Sequence, residues 1–76
     1  MTVVVETVGP FTYVGRFDTE DESGVHLLNV GVHDAAEGPR EDYVRRSARF
    51  GVRTDRNHLV VPRAEVARIT PLGEVG

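Results

Sequence analysis

The feature that most constrains the fold is residues 59–69, LVVPRAEVARI, where a proline interrupts an apolar segment. Proline lacks the amide hydrogen that a continuing ladder needs, and it biases the preceding Val61 towards an extended conformation. A strand must therefore end at Pro62. Val66 and Ile69 then recur three residues apart, a spacing that one 3₁₀-type turn followed by a strand directs back into a single core. The segment predicts a buried strand, a tight turn and a closing strand.

The rest of the chain also favours strands. Valine occurs fourteen times, and β-branched and aromatic residues fill the segments between glycines, prolines and acidic clusters. Val3 and Val5 share one face of the first predicted strand, and Val4 lies on the opposite face. Gly15 in mid-strand predicts a bend or bulge. We predict strands at residues 2–8, 11–18 and 25–33, a turn at Gly9-Pro10, and solvated loops at 18–24 and 34–42.

Residues 43–48 fit two different structures. Asp42 is a residue type that caps helices, whereas Ala48, Phe50 and Val52 alternate with Arg49, Gly51 and Arg53 as in a strand. We favour a strand from about Ala48, followed by a turn at 54–57 and a returning strand at 58–61 that completes a hairpin. Residues 71–76 are expected to form a frayed tail.

Length and composition indicate one small domain, residues 1–76. A chain this short buries only about 60% of its unfolded surface. It has no cysteine, so neither disulfides nor thiolate metal sites supplement the core, and association into a homo-oligomer is the remaining common route to extra stability. The longest apolar stretches are far shorter than a membrane span, and no basic and apolar leader opens the chain. We therefore expect a cytoplasmic protein without membrane contact.

The charges are distributed unevenly along the chain. All nine basic residues are arginine against twelve acids, a net charge of -3 that argues against a general nucleic-acid coat. Arginines nevertheless concentrate in residues 45–56. Three interpretations remain open: a solvated edge hairpin, an interface with the acidic loop at 18–22 of a neighbouring subunit, or a phosphate-binding face with Tyr43 and Phe50 as stacking partners. Five arginines belong to this segment: Arg45, Arg46, Arg49, Arg53 and Arg56.

Catalysis and metal binding have little support in the sequence. It contains no nucleophile elbow, phosphate loop or dinucleotide fingerprint, and its acids cluster in predicted loops. His26, His33 and His58 lie on different predicted strands or strand ends, without the spacing that marks a metal site. We predict a non-enzymatic protein with no catalytic residue, cofactor or metal.

The order of elements and two short motifs are similar to the Sm-like family and to the wider SH3-like barrels. Tyr13-Val14-Gly15-Arg16-Phe17, then Asp21 and Val25-His26-Leu27-Leu28, resembles the first Sm motif, and Val61-Pro62-Arg63 falls where the second motif has its arginine. The resemblance implies an all-β fold, a small five-stranded SH3-like/Sm-like barrel. It also implies that His26 and Arg63 hold an unstacked RNA base between them. Arg49 and Arg53 are further candidate RNA-binding residues.

An SH3-like protein-interaction or regulatory domain is the alternative. In an SH3 domain a tyrosine of the peptide groove would stand where this chain has Glu65, and tryptophan is absent, which argues against binding of proline-rich peptides. The sequence therefore predicts an Sm-like homo-oligomer that binds single-stranded RNA, or else a domain that binds a protein partner.

Overall fold

The computed structural model describes residues 1–74, which form five antiparallel strands and one α-helix. The prediction of a small all-β fold is confirmed, with the helix as an addition. The strands are β1 (Thr2–Thr7), β2 (Phe11–Asp21), β3 (Gly24–Asp34), β4 (Arg56–Val61) and β5 (Val66–Pro71), and the helix is α1 (Arg40–Phe50). Three 3₁₀ turns lie at Ala35–Glu37, Arg63–Glu65 and Leu72–Glu74.

The sheet has the order β4-β3-β2-β1-β5, so the two edge strands follow one another in the sequence. The four residues that join them include the 3₁₀ turn Arg63–Glu65, in which the Glu65 N–H donates to the Pro62 carbonyl at 2.9 Å. The edges of a flat five-stranded sheet would lie about 19 Å apart at the usual strand spacing. A 3₁₀ turn rises only about 2 Å per residue and is too short to cross that gap. The sheet must therefore curl on itself into a small barrel.

The curl is accommodated where β2 and β3 change register. The pairing shifts between Val14 and Arg16 and again between Phe17 and Thr19, so the predicted bulge at Gly15 is confirmed. A Cβ at Gly15 would lie 3.1 Å from the Val30 side chain. Asn29, on the facing part of β3, has a φ of 52°, a conformation that asparagine tolerates better than most residues.

Apolar residues form two buried clusters on opposite faces of the sheet. One lies inside the barrel and contains Val3, Val5, Val25, Leu27, Val30 and Val61. The other lies beneath the helix and contains Val4, Val14 and Val44. The predicted alternation of the first three valines is thus confirmed. Because Val44 of α1 packs over Val4 of β1 and Val14 of β2, this short chain obtains a second layer of core.

The strand expected from Ala48 is wrong, because residues 40–50 form α1. Val44 and Ser47 are buried three residues apart on the same side of the helix, whereas Ala48 and Phe50 are exposed. Gly51, at a φ of 94°, ends the helix and donates its N–H to the Ser47 carbonyl at 3.0 Å. The predicted hairpin is also wrong, since β4 pairs with β3.

Two further boundaries differ from expectation. The acidic segment 18–21, expected to be a loop, continues β2 and pairs with β3, because its side chains point into solvent and do not oppose strand formation. The expected frayed tail is ordered up to residue 74: Pro71 pairs with Val3 in the sheet, and Leu72 packs against the cluster beneath the helix. The last part of that prediction, residues 75 and 76, lies outside the described residues.

Candidate functional site

The first candidate surface is the hairpin-tip cluster, formed by Glu20, Asp21, His26, His58 and Arg63. The hairpin of β2 and β3 brings Asp21 beside His26, and Nε2 of His26 lies 3.0 Å from Oδ2 of Asp21. The 3₁₀ turn after β4 brings Arg63 to the same residue, where Nη2 donates to the Asp21 carbonyl at 2.9 Å. The structure thus brings His26 and Arg63, which are 37 positions apart in the sequence, to a common neighbour.

Both predicted RNA-binding residues in this cluster, His26 and Arg63, already contact other side chains. Nδ1 of His26 lies 3.2 Å from Nε2 of His58, and the two rings stack with their centroids 5.4 Å apart. Arg63 also forms an ion pair with Glu20 at 3.4 Å. Nε2 of His26 is buried, and the Asp21 carboxylate is the polar group that it faces. The arrangement attaches the turn before β5 to the tip of the hairpin.

Electrostatics at the hairpin-tip cluster favour cations over phosphates. The contact with His26, followed by the Ser23 N–H that donates to Oδ1 at 2.8 Å, holds the pKa of Asp21 below its ordinary value. Asp21 therefore stays ionised at neutral pH, and Glu20 and Glu22 add further negative charge at the tip. Arg63 is the one arginine that this cluster contains. An RNA backbone would meet more carboxylates than guanidinium groups here.

The second candidate surface is the arginine face, formed by Arg46, Arg49, Phe50 and Arg53 at the end of α1 and in the segment that follows it. All four side chains are exposed, and Phe50 is 78% exposed. The Arg49 guanidinium lies 5.6 Å from the centroid of the Phe50 ring, within cation–π range. Within residues 1–74, no salt bridge joins these three arginines to a carboxylate. The arginines that pair with a carboxylate in this part of the chain are Arg40, Arg45 and Arg63.

The arginines of the arginine-rich segment therefore lie in different environments. Arg45 pairs with Asp42 on the helix at 3.4 Å, and Arg56 begins β4. Arg49 and Arg53 lie on the arginine face, away from the hairpin-tip cluster that contains His26 and Arg63. The four predicted RNA-binding residues thus belong to two surfaces, and Arg46 and Phe50 complete the second one.

A cleft of about 650 Å³ opens between α1, β3 and residues 51–55, and we call it the α1 cleft. Arg46, Phe50 and Arg53 form part of its wall. The rings of His33 and Tyr43 also line it and stack with their centroids 4.6 Å apart and an angle of 11° between their planes. His33 is only 4% exposed, and its Nε2 lies 2.9 Å from the Gly38 carbonyl. Burial raises the pKa of the Tyr43 hydroxyl, which stays protonated at neutral pH.

Gly31 allows Tyr43 to lie close to β3. A Cβ at this glycine would lie 2.6 Å from the Tyr43 hydroxyl oxygen and 2.8 Å from the Arg53 carbonyl oxygen. Any larger residue would displace the tyrosine ring or the segment after the helix. The glycine therefore determines how closely α1 packs on the sheet and fixes the depth of the cleft.

The remaining chemistry of the described residues is limited. Among residues 1–74, no group of three or more histidine, cysteine or acidic side chains is arranged to hold a metal ion. The helices in this part of the chain are all too short or too polar to cross a membrane. Comparison of the chain with protein-family models, with curated proteins and with solved structures finds no match.

Proposed function

We propose that this protein is a non-enzymatic, Sm-like small-barrel module that binds single-stranded RNA through the arginine face. The observation that carries the proposal is the grouping of Arg46, Arg49 and Arg53, which have no carboxylate partner within residues 1–74, around the exposed ring of Phe50. Guanidinium groups bind phosphates with paired hydrogen bonds, and an exposed aromatic ring offers a stacking surface for a base. Both types of contact are typical of single-strand recognition.

The net charge of -3 does not oppose this proposal, because most of the acids lie away from the arginine face and only Glu37 and Asp55 line the cleft beside it. Asp18, Glu20 and Glu22 project from the hairpin of β2 and β3, and Glu41 and Asp42 occupy the first turn of α1. The arginines lie at and beyond the last turn of the helix. Since exposed charges are screened over about 10 Å at moderate salt, the local grouping governs phosphate binding more than the total charge does.

A single strand fits this surface better than a duplex. The arginine face is short, and its aromatic residue contacts a base only when that base is unstacked from its neighbours. His26 and Arg63, the residues that the Sm-like resemblance assigns to base binding, contribute in this proposal by attaching the turn before β5 to the hairpin.

The proposal is tested by titrating labelled oligo-U and oligo-A with the protein at low and high salt. We expect binding that weakens as salt rises, and a loss of about tenfold or more in the double variant Arg49→Ala/Arg53→Ala. Arg45→Ala is the matched control, because it removes an arginine that already pairs with Asp42. Absence of salt-sensitive binding would remove the RNA proposal. A loss seen only in Arg63→Ala would move the site to the hairpin-tip cluster.

We also propose that the module forms a homo-oligomer. β4 and β5 are the edges of the sheet, and each leaves one side of its backbone without a strand neighbour. Pairing of β4 from one subunit with β5 from the next would satisfy both edges in a head-to-tail assembly. Light scattering on the purified protein tests this, and we expect a mass several times the 8.4 kDa of the chain. A stable monomer that captures a protein partner would support the SH3-like alternative.

A further inference from the structure

We infer that the α1 cleft is a nucleotide subsite, which holds the phosphate of one nucleotide between Arg46 and Arg53 and its base against Phe50. This inference rests on the proposed RNA binding and names the part of the strand that the protein recognises. It assigns the site to the helix between β3 and β4, on a different surface from the hairpin-tip cluster.

The size of the cleft suits a ligand of this class. Its volume of about 650 Å³ lies within the range of about 300–1,000 Å³ that small-molecule sites commonly have. The stacked rings of His33 and Tyr43 are largely enclosed, and Gly31 lets them lie close to the sheet. The stacked rings would therefore form the base of the cleft before any ligand binds.

The α1 cleft is lined by two arginines and two carboxylates, and the arginines are the groups that can bind an anion. Each of the two carboxylates accepts a backbone hydrogen bond: Asp55 from the Val32 N–H at 2.9 Å, and Glu37 from the Asp34 N–H at 3.2 Å. Arg46 and Arg53 have no such carboxylate partner within residues 1–74. A phosphate accepts paired hydrogen bonds from guanidinium groups and matches both their charge and their planar geometry.

The exposed ring of Phe50 provides the surface on which the base of the nucleotide stacks. A large aromatic side chain that is 78% exposed at the end of a helix contributes little to the core. It borders the same cleft as the two arginines, so one nucleotide can contact all three residues. Stacking of a base on an aromatic ring adds binding energy without selecting strongly among bases.

The test is an amide chemical-shift titration with uridine monophosphate, uridine and inorganic phosphate as separate probes. We expect shifts around the α1 cleft, with the monophosphate binding at least about tenfold more tightly than either fragment, because only the monophosphate uses both halves of the site. Arg46→Ala and Phe50→Ala should each weaken binding of the monophosphate. Arg45→Ala, the matched control on the same helix, should not. Equal binding of all three probes, or equal affinity in Arg45→Ala and Arg46→Ala, would overturn the inference.

A second experiment distinguishes a failure of this inference from a failure of the proposed function. If the subsite belongs to the RNA-binding surface, oligo-U displaces uridine monophosphate from the cleft, and Arg46→Ala weakens both ligands. Arg49→Ala should weaken oligo-U while changing the affinity for the monophosphate less. RNA binding that depends on Arg49 but not on Arg46 overturns the subsite and leaves the RNA proposal in place. Monophosphate binding in the cleft without any RNA binding overturns the proposed function instead.

Discussion

Nδ1 of His26 lies 3.2 Å from Nε2 of His58, and this contact joins β3 to β4 across a diagonal of their ladder. His26 is directly opposite Val60, and His58 is opposite Leu28. For two imidazole nitrogens to share a hydrogen bond, one must donate and the other must accept. The carboxylate of Asp21 lies near the other nitrogen of His26 and favours a proton there. Nδ1 of His26 is then the acceptor, and His58 is the donor.

The first prediction is an energetic coupling between the two histidines. In a double-mutant cycle of His26→Ala and His58→Ala, we expect a coupling energy of about 0.5–1.5 kcal/mol, which is the usual net contribution of a hydrogen bond. Urea unfolding of the wild type, both single variants and the double variant provides the measurement. Asn57→Ala is the control on the same strand, and it should be additive with His26→Ala. Additivity of the two histidine substitutions would contradict the contact.

The second prediction concerns the stability of the fold at low pH. The pKa of Asp21 is lowered in the folded state, first by the contact with His26 and then by the Ser23 N–H. Such a group stabilises the fold above its unfolded pKa, and this contribution is lost as the pH falls through the lower, folded pKa. Asp21→Asn should therefore reduce stability at neutral pH and reduce the loss of stability on acidification.

The measurement for Asp21 is urea unfolding between neutral pH and about pH 2, the region in which carboxylates with lowered pKa values titrate. Asp18→Asn is the matched control, because Asp18 lies on the same strand and its side chain forms no hydrogen bond or ion pair with another residue of the 1–74 range. It should leave the pH dependence close to that of the wild type. An identical effect of the two substitutions would show that general charge at the hairpin, and not the contact with His26, sets the pH dependence.

The sequence predicted the segment around Pro62 correctly because the constraint there is covalent. Proline ends β4 at Val61, and the expected 3₁₀ turn occupies Arg63–Glu65 before β5 begins at Val66. The opposite faces of Val3 and Val4 were equally predictable, because side chains alternate strictly along a strand. Both features follow from the local geometry of the backbone, which neighbouring residues in the sequence determine.

The strand from Ala48 was wrongly favoured over the helix that Asp42 also suggested, because the alternation of Ala48, Phe50 and Val52 with polar or small residues is coincidental. Signals for a helix were nevertheless present: Glu41 and Asp42 stand in the first turn, Arg49 stands in the last turn, and Gly51 follows. The apolar stripe that contains Val44 is short and lies among many arginines, so the helical periodicity is weak in the sequence. With the helix assigned, Arg46 and Phe50 would have been placed near Tyr43.

The contact of His26 with His58 had no comparable signal. It depends on the register between β3 and β4, and the sequence placed the strand before Pro62 in a hairpin with residues 48–53 instead. The resemblance to Sm-like proteins suggested that His26 and Arg63 lie near each other, but not that both contact Asp21. The acids that accompany these two residues at the hairpin tip are visible in the sequence, but their ion pairs follow from the fold.

The third prediction concerns Arg40, which ties the start of α1 to the sheet. Its Nη1 lies 2.7 Å from Oε1 of Glu6, and its Nε donates to Oγ1 of Thr12 at 2.9 Å. Arg40→Ala leaves a buried threonine hydroxyl without this donor and a carboxylate without its partner. We expect a loss of about 1–3 kcal/mol in the free energy of unfolding.

Arg45→Ala is the control for Arg40→Ala. It removes the same charge from the same helix, but the pair that it breaks with Asp42 is exposed, so the expected loss is below about 1 kcal/mol. Urea unfolding at two salt concentrations distinguishes the two variants, since only the exposed pair should be strongly screened. Equal losses in both variants would mean that Arg40 contributes no more than an ordinary surface charge.

The last prediction concerns Gly31, which links the stability of the fold to the shape of the α1 cleft. In Gly31→Ala the new methyl group would lie 2.6 Å from the Tyr43 hydroxyl oxygen and 2.8 Å from the Arg53 carbonyl oxygen, so the tyrosine ring and the segment after the helix must move. Overpacking of this kind costs about 1–3 kcal/mol in stability. Gly73→Ala is the matched control, because a Cβ there meets nothing within 4 Å.

Because Tyr43 and Arg53 both line the cleft, Gly31→Ala should also weaken binding of uridine monophosphate at temperatures where the variant remains folded. Gly73→Ala should leave both stability and binding near their wild-type values. Thermal unfolding and the chemical-shift titration measure the two effects on the same samples. If Gly31→Ala proved as stable as Gly73→Ala, the close packing of Tyr43 on β3 would be contradicted. If it were destabilised but bound the monophosphate normally, Gly31 would shape the core without shaping the cleft.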